Sequence, residues 1–516
     1  ISLLSENIEV TRIGLNRPMQ TMNSLAREIT QLGSLGSEPY SELGLDGSNV
    51  VIGISDTGID ETSCYFRDKN HGNVPRSSVK HPTSDLKYRK VIQYITYSGS
   101  SGDYSAGHGS HVAGTVAGLC DYEHNNEAHN VYKGMASGAK IAFFDVGIND
   151  AKQDLVIPDD LGSAIFDTAK SAGAHIHSNS WGGGYLYDAF TLGTDKYLYE
   201  NPDFLVVFAA GNSGYHGTYT VCSPALAKNS LAVAASNTGH TSSSNIDHIA
   251  SFSSNGPTLD GRNKPDITAP GNYLISALAR SEGSSGTSCG TTSKQGTSMA
   301  TPVVAGTAGL ISQYFQDSNF WVKYCDPSYI MCSRGPFTPS GTLMKALLLH
   351  SAKPITRFEG NGGVSLSSVP DTYQGYGRVD LSSLLPTVTY NKAKYTLYMD
   401  NDGLQELQEN SYNVHISSST QALKVTISWF DPPNQVFAAR YLLHDLDLVL
   451  EDPTGQVFLG NAPVSGNRPA LGASRDEINN NEQITIDSPA VGDWVVRVQS
   501  KRLSEAPWQN YSMVIS

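Results

Sequence analysis

Residues 296–302 read Gly296-Thr297-Ser298-Met299-Ala300-Thr301-Pro302, and a run of small and apolar residues follows as far as Leu310. Such a run is typical of a closely packed, buried helix. Pro302 fits its first turn, where backbone N–H groups have no carbonyl partner to lose. Ser298 is therefore expected at the N-terminal end of the helix, where the dipole favours a developing negative charge. A serine there is a candidate nucleophile if a base can accept its proton, although most serines beside glycine are only turn residues.

Two earlier segments supply a carboxylate and an imidazole. An apolar run at residues 49–55 ends in Asp56-Thr57-Gly58-Ile59-Asp60, and a glycine-flanked histidine stands in Gly107-His108-Gly109-Ser110-His111. The polar groups thus follow the order Asp56, His108, Ser298, which is one of the chain orders known for this set of residues. Taken together, the three segments resemble, motif by motif, those of the subtilases, the subtilisin-like serine peptidases.

The resemblance implies a role for each of these residues. Ser298 would attack a peptide carbonyl, His108 would take up its proton and later release it, and Asp56 would fix the imidazole tautomer. Asn212, in the segment Gly211-Asn212-Ser213, matches the family's donor to the oxyanion. The implied substrate-binding residues are Ser180, Trp181, Gly182, Ala209, Ala210 and Gly211. The family often has leucine where this chain has Trp181. The indole of Trp181 is expected either to form a wall of the pocket or to pack against the core.

The region that carries the motifs alternates between predicted strands and helices. Short apolar strands are predicted at residues 50–55, 140–146, 175–180, 204–210 and 231–235, with helices at residues 159–172 and 188–199 among them. Strands of this kind are covered on both faces and form a parallel, doubly wound α/β sheet. Ligand sites in such sheets lie beyond the carboxyl ends of the strands, which is where Asp56 and Asn212 are expected.

After about residue 385 the hydrophobic period changes to two. Residues 423–429, 445–450 and 494–498 alternate, and a turn signal, Asp452-Pro453-Thr454-Gly455, separates two of the strands. The sequence therefore predicts an all-β sandwich or jelly roll at residues 386–516 behind a subtilisin-like catalytic domain at residues 22–385. Residues 1–21 are predicted to be an extended arm, which could be the remnant of a pro-segment.

Calcium is the usual ion of the subtilase family, so the resemblance implies a structural calcium ion. Candidate ligands in the β-domain are Asp431, Asp445 and Asp447. Strand alternation puts Asp445 and Asp447 on one face, which favours a shared ion or a costly repulsion. The alternative is that these carboxylates only solvate an exposed face.

The 516 residues include 49 acidic and 35 basic ones, which gives a formal charge of −14. This balance argues against nucleic acid and anionic membranes as partners, because both select basic surfaces. No apolar run approaches the roughly 18 residues of a membrane span. The chain opens with Ile1, and we expect a secretory leader and a pro-segment, the implied inhibitor and chaperone, to have been removed or left out of this sequence.

The six cysteines show no CxxC spacing and no accompanying histidine cluster. Disulfides are therefore favoured over a metal site, which indicates an oxidising compartment and a secreted protein. Six cysteines allow 15 pairings. The predicted pairs are Cys325–Cys332, Cys64–Cys120 and Cys222–Cys289. The first pair brackets a short loop, the second joins segments that follow the two earlier motifs, and the third remains by elimination.

These features predict a secreted serine endopeptidase that hydrolyses polypeptides through an acyl-enzyme. A peptide ligase or macrocyclase, in which an amine intercepts the acyl-enzyme, would use the same residues and stays an alternative. An α/β-hydrolase esterase is excluded, because that class needs G-x-S-x-G and the order Ser, Asp, His, whereas residue 300 is alanine. A non-catalytic binding protein would be expected to lack a member of the triad, and none is lacking.

Overall fold

The computed structural model describes residues 22–33, 35–99, 102–103, 107–121, 131–149, 154–239, 244–280, 286–324, 335–385, 397–465 and 468–516. The predicted arm at residues 1–21 and the predicted pair Cys325–Cys332 lie outside the described residues. The first eleven residues of the predicted β-domain, 386–396, lie outside them as well.

A large, mostly parallel sheet forms the centre of the first part of the molecule. The strands of this part are β1 (Val51–Asp56), β2 (Arg76–Ser77), β3 (Val91–Thr96), β4 (Lys140–Asp145), β5 (Gly147–Asn149), β6 (Asp154–Leu155), β7 (Ala174–Asn179), β8 (Leu205–Ala209), β9 (Leu231–Asn237), β10 (His248–Ile249), β11 (Ile267–Asn272), β12 (Leu274–Ala277), β13 (Thr291–Lys294), β14 (Arg357–Phe358) and β15 (Val364–Ser365). The sheet order is β15-β14-β10-β9-β8-β7-β1-β4-β3-β2, and β11 pairs with β9. The five predicted strands are confirmed, each to within two residues at either end.

The parallel pairing brings the carboxyl ends of several central strands to the same end of the sheet. Strand β1 pairs in parallel with both β4 and β7, and β7, β8 and β9 continue in the same direction. All six residues of β1 are buried, as expected for a strand covered on both faces. The carboxyl ends of β1, β7 and β8 therefore open on the same side, where Asp56, Ser180 and Asn212 follow.

Helices cover both faces of the sheet. They are α1 (Met22–Leu32), α2 (Pro39–Glu42), α3 (His108–Ala117), α4 (Asp167–Ser171), α5 (Ala189–Glu200), α6 (Thr297–Gln316), α7 (Ser318–Tyr324) and α8 (Gly341–Ser351). The predicted helix at residues 159–172 differs from the structure in its first half, because Gly162–Phe166 form a π-helical turn before α4. Helix α6 is almost wholly buried and packs against β9, β11 and α3, which its many small side chains allow.

Two antiparallel sheets form the second part of the molecule. Their strands are β16 (Leu397–Gln405), β17 (Glu409–Ile416), β18 (Leu423–Ser428), β19 (His444–Glu451), β20 (Val457–Leu459), β21 (Val464–Ser465), β22 (Arg468–Pro469), β23 (Asn481–Ile486), β24 (Gly492–Leu503) and β25 (Trp508–Ile515). The sheets have the orders β16-β25-β18-β23 and β17-β24-β19-β20. Val425 and Met513 from one sheet share a core with Leu448 and Val496 from the other, so the sheets face each other as a sandwich.

The cysteine pairing differs from the prediction. The structure joins Cys64 to Cys289, so the predicted bonds Cys64–Cys120 and Cys222–Cys289 are wrong. The β12–β13 hairpin carries Cys289 onto the segment that follows Asp56, where Ser288 O accepts a hydrogen bond of 2.8 Å from the backbone N–H of Cys64. Cys120 lies next to this disulfide as a free thiol, and its sulfur is 3.3 Å from that of Cys64.

Candidate active site

Asp56 and His108 form a close pair at the carboxyl end of the central strand β1. Asp56 is the last residue of β1 and is 1% exposed, and His108 is the first residue of α3. The carboxylate oxygen Oδ1 of Asp56 lies 2.7 Å from His108 Nδ1 and also accepts a 2.8 Å hydrogen bond from Thr57 N. Burial tends to lower the pKa of His108, but the charge of Asp56 and the hydrogen bond to it outweigh burial and raise the pKa above its usual range. The imidazole is thus oriented, with Nε2 left for a second partner.

A second buried carboxylate, not identified from the sequence, holds this pair in place. Asp103 Oδ1 accepts a hydrogen bond from Thr57 Oγ1, and its Oδ2 accepts one from Ser110 N in the first turn of α3. Thr57 Oγ1 in turn accepts a bond from Gly109 N, so the loop after Asp56 and the start of the His108 helix are connected twice. Burial raises the pKa of Asp103 to about 7. In the sequence, Asp103 is marked only by its position five residues before His108, and no motif or hydrophobic periodicity singles it out.

Ser298 is the second residue of α6, as its sequence predicts. Gly296 precedes it with φ +149°, a conformation that favours glycine and sets the entry of the helix. The Ser298 hydroxyl donates a 3.1 Å hydrogen bond to Ser180 O, while Ser180 Oγ donates one of 2.8 Å to Ser298 O. Ser298 also borders one cavity together with His108. The structure thus brings the serine and the imidazole to a common space, with the hydroxyl turned toward Ser180.

Asn212 lies beside Ser298, just after the end of β8. Its Oδ1 accepts hydrogen bonds from Thr297 N at 2.8 Å and from Thr297 Oγ1 at 3.1 Å. Since the side-chain oxygen is committed to these donors, the amide nitrogen is directed elsewhere, and Asn212 borders the cavities on both sides of Ser298. The side chain is therefore placed to donate a hydrogen bond to a group held at Ser298.

Five of the six predicted substrate-binding residues border a cavity of about 540 Å³ that also contacts Ser298. Ser180, Gly182, Ala209 and Gly211 line it from two facing segments. Ala210 does not, because its side chain is fully buried. Trp181 meets both expectations in part. Trp181 borders the cavity, but the residue is only 8% exposed. Its indole N–H donates a hydrogen bond to Ser55 Oγ, and the ring packs edge-on against Phe208.

Cys222, which was expected in a disulfide, is a free buried cysteine in this cavity. It reaches the cavity because the chain at Cys222–Ser223 runs beside Gly183 and Gly184, where Gly183 N donates to Ser223 O at 2.8 Å. This pairing joins segments that are distant in sequence, so the local sequence does not indicate that Cys222 lines the cavity.

The three predicted calcium ligands do not come together. Asp431 is fully buried and forms an ion pair with Lys228, while its two oxygens also accept from the backbone N–H groups of Leu443 and His444. Asp447 pairs with Arg475, and one oxygen of the buried Asp445 has no hydrogen-bond partner among the described residues. Within the described part of the chain, the one group of three or more candidate ligands within 4.8 Å of one another is Cys64, Cys120 and Cys289. Asp431 is thus already neutralised by an ammonium group and does not fit the predicted role.

An α/β sheet that presents an oriented imidazole, a helix-terminal serine and an amide donor at one edge has the architecture of the subtilisin-like class of serine hydrolases. The model of the subtilase family matches residues 47–378, well over half of the chain, and the chain belongs to the subtilase family. The matched range contains Asp56, His108, Asn212 and Ser298, and the candidate calcium ligands Asp431, Asp445 and Asp447 lie beyond it.

Two relatives of the chain are named as serine proteases. The chain is 28% identical to the serine protease/ABC transporter B family protein tagD of Dictyostelium discoideum over 93% of this chain and 32% of the relative. It is also 28% identical to the serine protease AprX of Bacillus subtilis over 61% of this chain and 68% of AprX. Among solved structures, a serine protease of Aeromonas sobria aligns over 99% of this chain and 98% of its own with 15% identity and a TM-score of 0.46. The chain spans about a third of the length of its Dictyostelium relative. No helix among the described residues has the length and apolar character needed to cross a membrane.

Proposed function

We propose that this protein is a secreted serine endopeptidase that hydrolyses polypeptides through an acyl-enzyme on Ser298. The observation that carries the proposal is the 2.7 Å contact between Asp56 and His108 on the cavity that Ser298 shares. This pair can accept a proton from a nearby hydroxyl without losing the orientation of the ring.

The proton moves from Ser298 Oγ to His108 Nε2 as the oxygen attacks the peptide carbonyl. The Ser298 hydroxyl must first turn away from Ser180 O, a rotation about one side-chain bond that a bound substrate can drive. The resulting imidazolium is stabilised by Asp56 and then donates its proton to the departing amine. In the second half of the reaction, His108 takes a proton from water as the water oxygen attacks the acyl ester on Ser298. The bond between the acyl carbon and Ser298 Oγ then breaks, and His108 returns the proton to Ser298 Oγ.

Negative charge that develops on the carbonyl oxygen meets two donors. One is the amide of Asn212, held by the hydrogen bond from Thr297 N to its side-chain oxygen. The other is the backbone N–H at the start of α6, where the helix dipole favours negative charge.

Cavities on both sides of Ser298 favour an endopeptidase over an enzyme that trims chain ends. One, of about 540 Å³, follows residues 180–184, and the other, of about 590 Å³, is bordered by Tyr273 and residues 293–295. A substrate chain can therefore continue in both directions from the attacked bond. Backbone groups of residues 180–182 would pair with it as an added strand.

Secretion, a pro-segment partner and structural calcium belong to the same proposal. The Cys64–Cys289 bond supports an oxidising compartment. For calcium, the carboxylates of Asp445 and Asp447 are the better candidates, because one buried oxygen of Asp445 has no hydrogen-bond partner in the described part of the chain. The test is the melting temperature in calcium and in chelator for wild type and Asp445→Asn. Chelation should lower the melting temperature of the wild type alone, and an equal response would remove calcium from this site.

The peptidase proposal is tested by mass spectrometry of a denatured polypeptide incubated with wild type, Ser298→Ala or Ser312→Ala. Ser312 lies in the same helix, away from the site, and provides a matched control. Wild type and Ser312→Ala should produce internal cuts, while Ser298→Ala should lose about 10⁶-fold in kcat. Cleavage that survives Ser298→Ala would overturn the proposal.

The same experiment separates hydrolysis from peptide ligation. With an added peptide amine, a hydrolase yields free carboxyl termini, whereas a ligase yields joined or cyclised products of higher mass. A wild type that forms mainly joined products would replace hydrolysis by ligation as the main activity.

A further inference from the structure

A second histidine, His111, joins the helix of His108 to the hairpin that leads to Ser298. It lies nearly one turn further along α3 and is fully buried. Its ring nitrogen Nε2 is 3.1 Å from Leu274 O and 3.2 Å from Thr292 O. Because both partners are carbonyl oxygens, Nε2 carries the proton and donates to them.

The two carbonyls belong to different strands of one hairpin. Leu274 lies in β12 and Thr292 in β13, so a single N–H group of His111 is bonded to both strands. Residues 293–295, which follow Thr292, border the cavity of about 590 Å³ beside Ser298. Ser298 itself follows Thr292 within six residues. A displacement of the hairpin is therefore passed on to the nucleophile.

Close packing sets how near the helix and the hairpin lie, but it does not fix them in every direction. A Cβ atom added to Gly114 of α3 would lie 2.5 Å from Ser276 Oγ, and one added to Gly107 would lie 3.0 Å from Ala279 Cβ. Such contacts oppose closer approach and allow sliding, whereas a hydrogen bond has a preferred distance and angle. The bonds from His111 thus fix the position of the hairpin along the helix.

His111 cannot exchange protons during the reaction. Burial lowers its pKa to about 3, and the charges of Lys294 and His108 act in the same direction. The ring therefore stays neutral while His108 titrates. In the described part of the chain, the residues that border the two cavities beside Ser298 do not include His111. Any effect of His111 on the reaction must pass through the elements that it holds.

We propose that His111 is a positioning residue that sets the separation of His108 and Ser298, by bonding the helix of the base to the hairpin before the nucleophile. This inference rests on the proposed peptidase function. A misplacement of about 1 Å between reacting groups can cost about 10²-fold in rate. The loss should appear in kcat more than in KM, because the predicted substrate-binding segments, residues 180–182 and 209–211, do not belong to the hairpin.

The test compares three replacements of His111 in the steady-state hydrolysis of one peptide. Glutamine carries its amide nitrogen the same number of bonds from the backbone as Nε2, asparagine stops at the position of Nδ1, and leucine has no donor. His111→Leu and His111→Asn should lower kcat about 10- to 100-fold with a much smaller change in KM. His111→Gln should recover at least tenfold of this loss. If His111→Leu does not fold, the Gln and Asn variants alone give the comparison.

His350 provides a matched control, because it is also buried and joins two elements. Its Nδ1 lies 3.0 Å from Thr426 Oγ1, and its Nε2 lies 2.7 Å from Ser516 Oγ. His350→Leu should lower the melting temperature and leave kcat unchanged. Hydrogen exchange of the backbone amides of residues 291–294 reports on the hairpin directly, and it should be faster in His111→Leu than in His111→Gln.

The inference is overturned if His111→Leu keeps the wild-type kcat, even where the hairpin exchanges faster, since His111 would then serve stability alone. Equal losses in folded His111→Gln and His111→Asn would overturn it as well, because reach would not matter. Labelling of Ser298 by a fluorophosphonate separates this failure from that of the peptidase proposal. A wild type that neither cleaves the peptide nor reacts with the probe would overturn both, whereas an active wild type with unimpaired variants would overturn only the role of His111.

Discussion

Asp56 does more at the active site than supply a charge. Its Oδ1 receives hydrogen bonds from both Thr57 N and His108 Nδ1, so the backbone fixes the carboxylate and the carboxylate fixes the ring. Asp103 repeats this arrangement one step further out, since it binds Thr57 and the backbone of Ser110. The tautomer of His108 is therefore determined by a network that begins in the main chain.

The effect of Asp56 on His108 predicts the pH dependence of activity. The neutral imidazole is the base, so kcat/KM should rise as pH increases through a His108 pKa above 6.5, its usual value. In Asp56→Asn the raising charge is lost and burial dominates, so this limb should move to lower pH while kcat falls about 10⁴-fold. A pH–rate profile from pH 5 to 9 measures both effects. Asp203→Asn, at a half-exposed carboxylate, is the control. An unshifted limb in Asp56→Asn would contradict the assignment.

Asn212 should act on the transition state and hardly at all on the bound substrate. Because its oxygen is held by Thr297, truncation to alanine removes a donor that strengthens only as the oxyanion forms. We expect Asn212→Ala to lower kcat by about 10²–10³-fold with little change in KM. Asn212→Asp keeps the shape but places a carboxylate oxygen there, so its kcat should be at least as low. Steady-state kinetics with one peptide substrate would refute this role if KM rose and kcat were unchanged.

At the scale of elements, α6 explains why small residues follow the nucleophile. A Cβ atom added to Gly306 would lie 2.5 Å from Met135 Cβ, and one added to Gly309 would lie 2.9 Å from Ile52 Cδ1. The helix therefore crosses its neighbours at glycines, and this close packing holds the end that bears Ser298. A larger side chain would displace the helix from the sheet.

The same substitution should have opposite effects in two helices. Gly193 in α5 has open space around an added Cβ, whereas Gly306 in α6 has none. Gly193→Ala should stabilise the protein by up to about 1 kcal/mol through helix propensity, and Gly306→Ala should destabilise it by about 1–3 kcal/mol through overpacking. Urea unfolding followed by far-UV circular dichroism measures both. Equal effects would show that backbone preference, and not packing, decides at Gly306.

Elements with a strong local pattern were predictable, and elements defined by distant partners were not. Strand β1 reads directly from its apolar run, because a strand buried on both faces has no polar side. The π-helical turn at Gly162–Phe166 has no such pattern in the sequence, so a regular helix was expected there. The pairing of Cys289 depends on where the β12–β13 hairpin lies in space, and the exposure of Cys222 to the cavity depends on its pairing beside Gly183. The candidate triad could be found because each member follows its own local motif.

On the scale of the whole molecule, the sandwich is bonded to the α/β part through buried polar groups. Lys228 Nζ donates to Asp431 and to the carbonyls of Pro432 and Tyr441, the latter two at 2.7 and 2.8 Å. Tyr441 also stacks on Tyr187, with ring centroids 3.8 Å apart, next to the chain that lines the cavity at Asp188. The two parts are thus expected to unfold together, and the sandwich supports the substrate cavity from behind.

The ion pair between Lys228 and Asp431 provides the sharpest test of this coupling. Both side chains are fully buried, so removing one partner leaves the other charge without compensation. We expect Lys228→Met or Asp431→Leu alone to cost about 3–5 kcal/mol in the free energy of unfolding. The double variant Lys228→Met/Asp431→Leu should cost much less than the sum, since it leaves neither charge behind.

A double-mutant cycle by urea denaturation, repeated in calcium and in chelator, completes this test. If Lys228 is the counter-ion of Asp431, the coupling energy should be the same in both solutions, because no calcium ion contacts the pair. Additive single losses would instead mean that each residue acts through separate contacts. A coupling that disappeared on chelation would return Asp431 to the set of calcium ligands, and the buried ammonium group of Lys228 would then need another explanation. The expected result, strong and calcium-independent coupling, makes this pair a structural bond between the two parts of the molecule.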